Sequence, residues 1–126
     1  MIKSKRKEII DVAKDALDLL DEKKAEQAII MDLRDVNTFL EYFLIATGNS
    51  MVHCKALIKD LRKVFNEGGY KEKNRPEFDS NWIILDFGAI IVHIFTQDTK
   101  NYYQLDKLWA DAKFITRDDL NSMKSM

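Results

Sequence analysis

The sequence contains a single cysteine, a single proline and four glycines in 126 residues. The lone Cys54 excludes an intramolecular disulfide and a thiolate metal cluster, a pattern typical of reducing compartments. We expect it to pack as a small apolar residue. No apolar run approaches the ~20 residues of a membrane-spanning helix, and the basic start leads into an amphipathic pattern rather than a secretory segment. We therefore expect a cytoplasmic protein.

The charges are nearly balanced. Lys and Arg number 20 against 21 Asp and Glu, which gives a net charge of -1 and a sequence pI of about 6.1. This balance argues against extended binding to a phosphate backbone. The only dense basic run, formed by Lys3, Lys5, Arg6 and Lys7, is interpreted as a solvated helix face, with an RNA contact as the less favoured alternative. A protein partner is therefore favoured over naked nucleic acid.

Chain length and apolar content indicate one folded domain. A chain of 126 residues with 46% hydrophobic residues fits one core, because domains cluster at roughly 100 to 150 residues. We assign residues 1–115 to a single α/β domain, and the polar residues 116–126 to a flexible C-terminal tail. The order of helical and strand patterns predicts a small mixed β-sheet flanked by helices.

The first half of the chain predicts two helices and two strands. Residues 4–21 repeat apolar side chains at helical spacing, while the short apolar runs 28–33 and 42–46 indicate strands. A helix follows the loop Thr47–Ser50, with Asn49 or Ser50 as N-cap, and ends at Gly68-Gly69. The first helix is expected to bury one stripe, formed by Ile9, Val12, Ala13, Ala16, Leu17 and Leu20.

The second half predicts a surface loop, a hairpin and a final helix. The polar segment 71–81 contains the only proline, Pro76, and is interpreted as a surface loop. Residues 97–103 have short helical character, and residues 105–111 continue it with Leu105, Leu108 and Trp109 at helical spacing. The predicted order is helix, strand, strand, helix, strand, strand, helix.

The hairpin is the sequence WIILDFGAIIVHIF, residues 82–95. A two-residue turn at Phe87-Gly88 would pair Asp86 with Ala89 and Trp82 with His93. One hairpin face is then wholly aliphatic and suits packing beneath a helix. Its members are Ile83, Leu85, Ile90, Val92 and Ile94.

The other hairpin face is chemically mixed. It combines a tryptophan, an imidazole and a carboxylate with apolar side chains, which is typical of protein-binding patches. The alternative is that the final helix, with Tyr103 and Trp109, covers this face as ordinary core. The mixed face consists of Trp82, Ile84, Asp86, Ala89, Ile91, His93 and Phe95.

Signals for catalysis are weak. The triplet Asp86-Phe87-Gly88 also occurs in protein kinases, but the chain has no glycine-rich phosphate loop and no His-Arg-Asp loop. His53 and His93 have no cysteine cluster beside them, so neither a metal nor another cofactor is predicted. The loop Thr47–Ser50 precedes a helix N-terminus, which favours anions. A small nucleotide-binding or nucleotidyltransferase-like enzyme that uses this loop is therefore the alternative function.

Three segments, in this order, carry a family resemblance: KKAEQAIIMDLRDVNTFLEYFLIATGNS, WIILDFGAIIVHIF and YYQLDKLW. With them the chain, over about residues 10–110, resembles the Iojap family, the ribosomal silencing factors. The resemblance implies a fold similar to a minimal nucleotidyltransferase-like domain without its catalytic carboxylates. It also implies that the protein is not an enzyme.

The resemblance further implies a partner and a mechanism. Family members bind ribosomal protein fourteen of the large subunit, block association with the small subunit by steric exclusion, and repress translation when nutrients are scarce. Both monomers and homodimers occur in the family, so self-association through exposed aromatic surface is a further possibility. The motif positions expected at the partner interface are Trp82, Asp86, Phe87, His93, Phe95, Tyr103, Leu105 and Leu108.

The chain departs from the family pattern at three places. Ala89 follows the turn glycine where an aspartate is usual, Glu41 replaces an aspartate, and Asn49 replaces the commoner threonine of the loop. Loss of a carboxylate beside Asp86 removes a polar contact to a basic ribosomal protein, which we expect to weaken binding by ~1 kcal/mol. The family interface is otherwise expected to be retained.

Overall fold

The computed structural model describes residues 8–35, 39–97 and 113–115, which form a mixed sheet and two helices. The strands lie in the order β3-β4-β2-β1-β5. β2 and β4 are parallel, whereas the other neighbouring pairs are antiparallel. The predicted α/β class with a small mixed sheet is confirmed. The elements are α1 (Ile9–Glu22), β1 (Glu26–Asp32), β2 (Tyr42–Gly48), α2 (Met51–Glu67), β3 (Trp82–Asp86), β4 (Ile90–Thr96) and β5 (Lys113–Ile115).

Helix α1 confirms the amphipathic prediction for the residues that the structure describes. All six side chains of the predicted stripe are buried, and they pack against the sheet and α2 as an apolar helix face should. α1 and α2 approach closely at Gly68, where an added Cβ would lie 2.6 Å from Cγ2 of Val12. Residues 4–7 lie outside the described part of the chain.

Helix α2 begins and ends at the predicted residues. The hydroxyl of its N-cap Ser50 accepts a hydrogen bond from the backbone N–H of His53 at 3.0 Å. At the other end Gly69 has a φ of +94°, and the N–H of Tyr70 donates to the carbonyl of Phe65 at 2.9 Å. This is the 6→1 bond of a Schellman motif, for which glycine at the left-handed position is favoured.

The strands differ from the sequence prediction mainly at their ends. β1 begins two residues before the predicted residue 28, and β2 continues two residues past 46. β5, a three-residue strand, was not predicted, because so short a run forms only by pairing with β1 and carries no periodic signal. The final helix, predicted over 97–103 and 105–111, lies outside the described residues except for Gln97, and so does the tail 116–126.

The predicted hairpin turn is one residue too early, so the predicted partner of each strand residue is wrong by two residues. Asp86 pairs with Ile91 and Trp82 with Phe95, and the N–H of Phe87 donates to the carbonyl of Ile90 at 3.0 Å. The two-residue turn is therefore Gly88-Ala89. Gly88 has a φ of +89°, and a glycine is favoured at the first central position of a type II′ turn. Because each partner moves by two residues, the strand residues keep their predicted faces, whereas Ala89 lies in the turn and packs against the core between helices and sheet.

The corrected turn also changes the place of Phe87. Its side chain is only 1% exposed and stacks on Phe65 of α2 with ring centroids 4.4 Å apart. Phe87 therefore belongs to the core between helices and sheet, together with the aliphatic hairpin face. The expectation that Phe87 contacts a partner is corrected, because the helices cover it.

Among the described residues, neither α1 nor α2 is long and apolar enough to cross a lipid bilayer. Both helices pack on the same face of the sheet, and the opposite face, called here the second face, carries a separate apolar cluster.

Candidate protein-binding surface

The second face of the sheet is buried at its centre and accessible along β3. Its buried members are Met31, Leu33, Phe43, Ile45 and Phe95. Toward β3, Trp82, Asp86 and Ile91 are half-buried, and Ile84 is 36% exposed. Trp82, Ile84 and Asp86 alternate with the buried Ile83 and Leu85 and so point to the same side. We call Trp82, Ile84, Asp86 and Ile91 the β3 stripe.

Trp82 belongs to an aromatic cluster on the second face. Its ring stacks on Phe95, its cross-strand partner, with centroids 5.3 Å apart and an interplanar angle of 25°. Its indole Nε1–H donates to Nδ1 of His93 at 3.0 Å. The imidazole in turn meets Phe43 edge to face, with centroids 4.4 Å apart. The aromatic cluster, Phe43, Trp82, His93 and Phe95, therefore links β2, β4 and β3 and fixes the indole in one orientation.

His93 is a neutral hydrogen-bond acceptor in this cluster. It is 5% exposed, and burial lowers the pKa of His93 to about 4, because a charged imidazole loses its hydration there. Since Nδ1 accepts the indole N–H, the proton of the neutral ring lies on Nε2. Nε2 has no hydrogen-bond partner among the described residues. A general-base role at the surface is not supported, because the ring is buried.

The structure separates the residues that were predicted for the interface. Trp82 and Asp86 lie in the accessible β3 stripe, whereas His93 and Phe95 are buried beside it. Tyr103, Leu105 and Leu108 lie outside the described residues. Sequence reasoning placed Ile84 and Ile91 on the mixed face but did not choose them. The available signal was the alternate spacing of Ile84 with Trp82 and Asp86, and of Ile91 with His93 on the returning strand.

Asp86 is positioned by the corrected turn. Its Oδ1 accepts the N–H of Gly88 at 2.8 Å, a local bond of the kind that aspartate makes in turns. The side chain of Lys73 lies over the same glycine, since an added Cβ at Gly88 would be 2.9 Å from Lys73 Cε. Ala89, which stands in place of the usual aspartate, is half-buried beside it. The carboxylate of Asp86 therefore ends the β3 stripe with a negative charge.

The outer edge of β3 is closed by side chains of the preceding loop. The hydroxyl of Ser80 bonds both the N–H and the carbonyl of Trp82, at 3.1 and 3.0 Å. The amide of Asn74 donates to the carbonyl of Ile84 at 3.0 Å and accepts the N–H of Asp86 at 2.9 Å. An edge strand whose main-chain groups are occupied is a poor template for another strand.

This loop, which we call the edge strap (residues 72–80), is also tied to α2. Arg62 makes two hydrogen bonds to the carboxylate of Glu72, at 2.7 and 3.0 Å. The same guanidinium lies 4.8 Å from the ring centroid of Phe78. A bidentate pair fixes orientation as well as distance. The edge strap is therefore an ordered support for β3, as well as the surface loop that was predicted.

Two residues of the loop Thr47–Ser50 make structural contacts with α2, whereas the buried Oγ1 of Thr47 has no hydrogen-bond partner among the described residues. Ser50 caps α2, and the backbone N–H of Asn49 donates to Nδ1 of His53 at 3.0 Å. Thr47 is fully buried, and an added Cβ at Gly48 would lie 2.6 Å from Sγ of Cys54. Polar groups that cap the helix are not available to a phosphate in this arrangement, so the enzyme alternative gains no support.

The side chains with reactive chemistry are likewise engaged or buried. Cys54 is 1% exposed, as its predicted packing role requires, and burial raises the pKa of its thiol. A buried thiol with a raised pKa is a weak nucleophile. Within the described ranges, no group of three or more His, Cys, Asp and Glu side chains has the arrangement of a metal site.

Several known proteins similar to this chain are described as ribosomal silencing factors. The sequence profile described as ribosomal silencing factor during starvation matches residues 6–126. The chain is 36% identical over 101 residues to ribosomal silencing factor RsfS of Halalkalibacterium halodurans, covering 79% of this chain and 86% of that protein. It is 33% identical over 114 residues to RsfS of Bacillus subtilis, covering 90% and 94%. A crystal structure of a Chromobacterium violaceum protein is similar with a TM-score of 0.75 at 27% identity, covering 82% and 87%.

Proposed function

Because the chain belongs to the family of ribosomal silencing factors, we propose that it binds the large ribosomal subunit through ribosomal protein fourteen and thereby blocks joining of the small subunit. The observation that carries the proposal is the β3 stripe, with Trp82 held in one orientation by His93 and Phe95. A large aromatic side chain that is ordered before binding loses little entropy in the complex.

The composition of the β3 stripe fits a basic protein partner. Binding energy concentrates in a few large side chains surrounded by contacts that exclude water, and tryptophan is among the most frequent of these. Ile84 and Ile91 supply apolar surface next to Trp82. Asp86 ends the stripe with a carboxylate, which favours a positively charged neighbour. Tyr103, Leu105 and Leu108 remain proposed contacts on the basis of the family motif.

The partner is proposed to dock on the face of the sheet and not by adding a strand to its edge. Ser80 and Asn74 occupy main-chain groups of β3 that an incoming strand would need. Strand addition depends on free N–H and C=O groups along such an edge. Side chains of the β3 stripe, rather than the backbone, would therefore carry recognition.

The proposed mechanism is steric and needs no chemistry. A protein bound to ribosomal protein fourteen on the face that meets the small subunit occupies space that the small subunit requires. Translation is then repressed when nutrients are scarce, and the site of action is the cytoplasm. This mechanism agrees with the burial of Cys54 and His93, which leaves neither side chain poised for catalysis.

We also propose that the fold is related to a minimal nucleotidyltransferase domain that has lost its catalytic carboxylates. Support comes from β2, the loop Thr47–Ser50 and α2, which leads by crossover to the parallel strand β4. In an active enzyme such a loop would be followed by paired carboxylates that hold divalent metal. In this chain the hydroxyl of Ser50 caps α2, and the backbone N–H of Asn49 donates to Nδ1 of His53.

Co-sedimentation with isolated large subunits tests the proposed interface. Trp82→Ala is expected to weaken binding by about 2 kcal/mol or more, which is roughly 30-fold. Val52→Ala is the matched control, because Val52 is an exposed apolar side chain on α2, on the other side of the sheet. Circular dichroism must show that both variants are folded. Equal binding of the wild type and Trp82→Ala would refute the proposal.

A further inference from the structure

Burying the side chain of His93 costs folding free energy. Its Nε2–H has no hydrogen-bond partner among the described residues although the side chain is 95% buried, being 5% exposed. Leaving a buried donor unpaired costs free energy, whereas an apolar residue of similar size avoids that cost. Stability of the sheet alone would therefore favour leucine at this position.

The other ring nitrogen offers a compensating role. Nδ1 accepts the indole Nε1–H of Trp82 at 3.0 Å, and this contact ties the indole to the buried part of the second face. The stacking of Trp82 on Phe95 fixes the plane of the indole. The hydrogen bond adds direction, because without it the indole can turn over about its Cβ–Cγ bond and still stack on Phe95.

We infer that His93 is a positioning residue for partner binding: its Nδ1 holds the Trp82 indole in the orientation that the partner recognises, while His93 itself does not contact the partner. This inference rests on the proposed function, in which Trp82 is the anchor. It changes the role of His93 from a contact residue, as its motif position implied, to a support beneath one.

Two substitutions separate positioning from stability. His93→Asn places a side-chain oxygen near the position of Nδ1, so that the acceptor is retained but the ring is lost. His93→Leu keeps the approximate volume and removes both the acceptor and the unpaired donor. We expect His93→Leu to be at least as stable as the wild type but to bind large subunits about fivefold more weakly, the factor for one hydrogen bond. We expect His93→Asn to be less stable but to bind within about twofold of the wild type.

The indole N–H resonance of Trp82 gives a second readout. The resonance is assigned by its loss in Trp82→Phe. We expect it downfield and slow to exchange in the wild type and His93→Asn, and upfield and fast to exchange in His93→Leu, because only the first two offer an acceptor. If His93 had only a structural role, binding to large subunits would not change together with the chemical shift and exchange rate of the indole N–H.

The outcomes distinguish the inference from the function on which it rests. If the wild type fails to bind large subunits, or Trp82→Ala binds as well as the wild type, the proposed function fails and the inference falls with it. If Trp82→Ala loses binding but His93→Leu binds like the wild type, only the positioning role is overturned. Equal weakening in His93→Asn and His93→Leu would also overturn it, since the retained acceptor would then have no effect.

Discussion

The indole N–H of Trp82 is hydrogen-bonded to Nδ1 of His93 at 3.0 Å, across two strands whose direct pairing places these residues diagonally. The bond joins the accessible edge of the second face to its buried centre. It explains how Trp82 is held in one orientation at the surface.

The buried imidazole makes stability depend on pH. His93 has a folded pKa of about 4, below the ordinary value of about 6.5. Between these values the unfolded chain binds the additional proton, so stability falls as the pH is lowered. We expect a loss of about 3 kcal/mol between pH 7 and pH 4 from this group. Urea denaturation at both pH values, compared with His93→Leu, measures it, and an equal pH dependence in both proteins would contradict it.

A methyl group at Gly48 is expected to destabilise the join between β2 and α2. The added Cβ would lie 2.6 Å from Sγ and 3.2 Å from the backbone N of Cys54. Overpacking of this kind costs about 1 to 3 kcal/mol. Cys54→Ala removes the nearer atom, so in the double variant Gly48→Ala should cost less than it does alone. If Gly48→Ala lowers the free energy of unfolding by the same amount in the Cys54→Ala background as it does alone, the close contact is not the cause.

The edge strap is expected to keep the protein from pairing through β3. Asn74→Ala removes both bonds that its side chain makes to Ile84 and Asp86. We expect a stability loss of about 1 kcal/mol and increased self-association, because main-chain groups of an edge strand become available. Analytical ultracentrifugation over a concentration series measures the association. Arg75→Ala, which removes an exposed side chain from the same loop, serves as the control and should remain like the wild type.

The charge of Asp86 is expected to matter for binding but little for the turn. Asp86→Asn keeps an oxygen that can accept the N–H of Gly88 and removes only the negative charge. We expect binding to large subunits to weaken by about 1 kcal/mol at low salt, with the difference shrinking as salt is raised. Binding measured at two salt concentrations checks this. A difference that does not change with salt would point to altered shape instead of lost charge.

Local patterns predicted much of this fold. The stripe of α1 follows from helical spacing, and Ser50 and Gly69 mark the ends of α2 through capping bonds that involve near neighbours in sequence. The alternation of the hairpin placed its strand residues on the correct faces, but not Ala89, which lies in the turn. These features depend on residues within a few positions of one another, so the sequence contains their full cause.

Features that depend on distant residues were missed or misplaced. The turn moved to Gly88-Ala89, which places Phe87 against Phe65 of α2, a contact across more than twenty residues that spacing within the hairpin does not reveal. β5 forms only through its pairing with β1. The bonds of Ser80 and Asn74 to β3 join side chains to main chain and leave no periodic pattern.

Only part of the candidate site could be predicted, because burial depends on the order of the strands in the sheet. Alternation placed Trp82 and His93 on one face, but it does not show which of the two is buried. The depth of His93 follows from its position on β4, between β3 and β2 in the sheet, whereas β3 is an edge strand. Sheet order therefore decides which residues of the mixed face are accessible.

Subunit joining, followed by light scattering, tests the central claim most directly. Purified large and small subunits are mixed after the large subunits have been incubated with wild type, Trp82→Ala or Val52→Ala. The account predicts that the wild type and Val52→Ala lower the joined fraction as they saturate the large subunit, and that Trp82→Ala needs roughly 30-fold more protein for the same effect. If folded Trp82→Ala blocks joining as well as the wild type, the β3 stripe is not the surface that silences the ribosome.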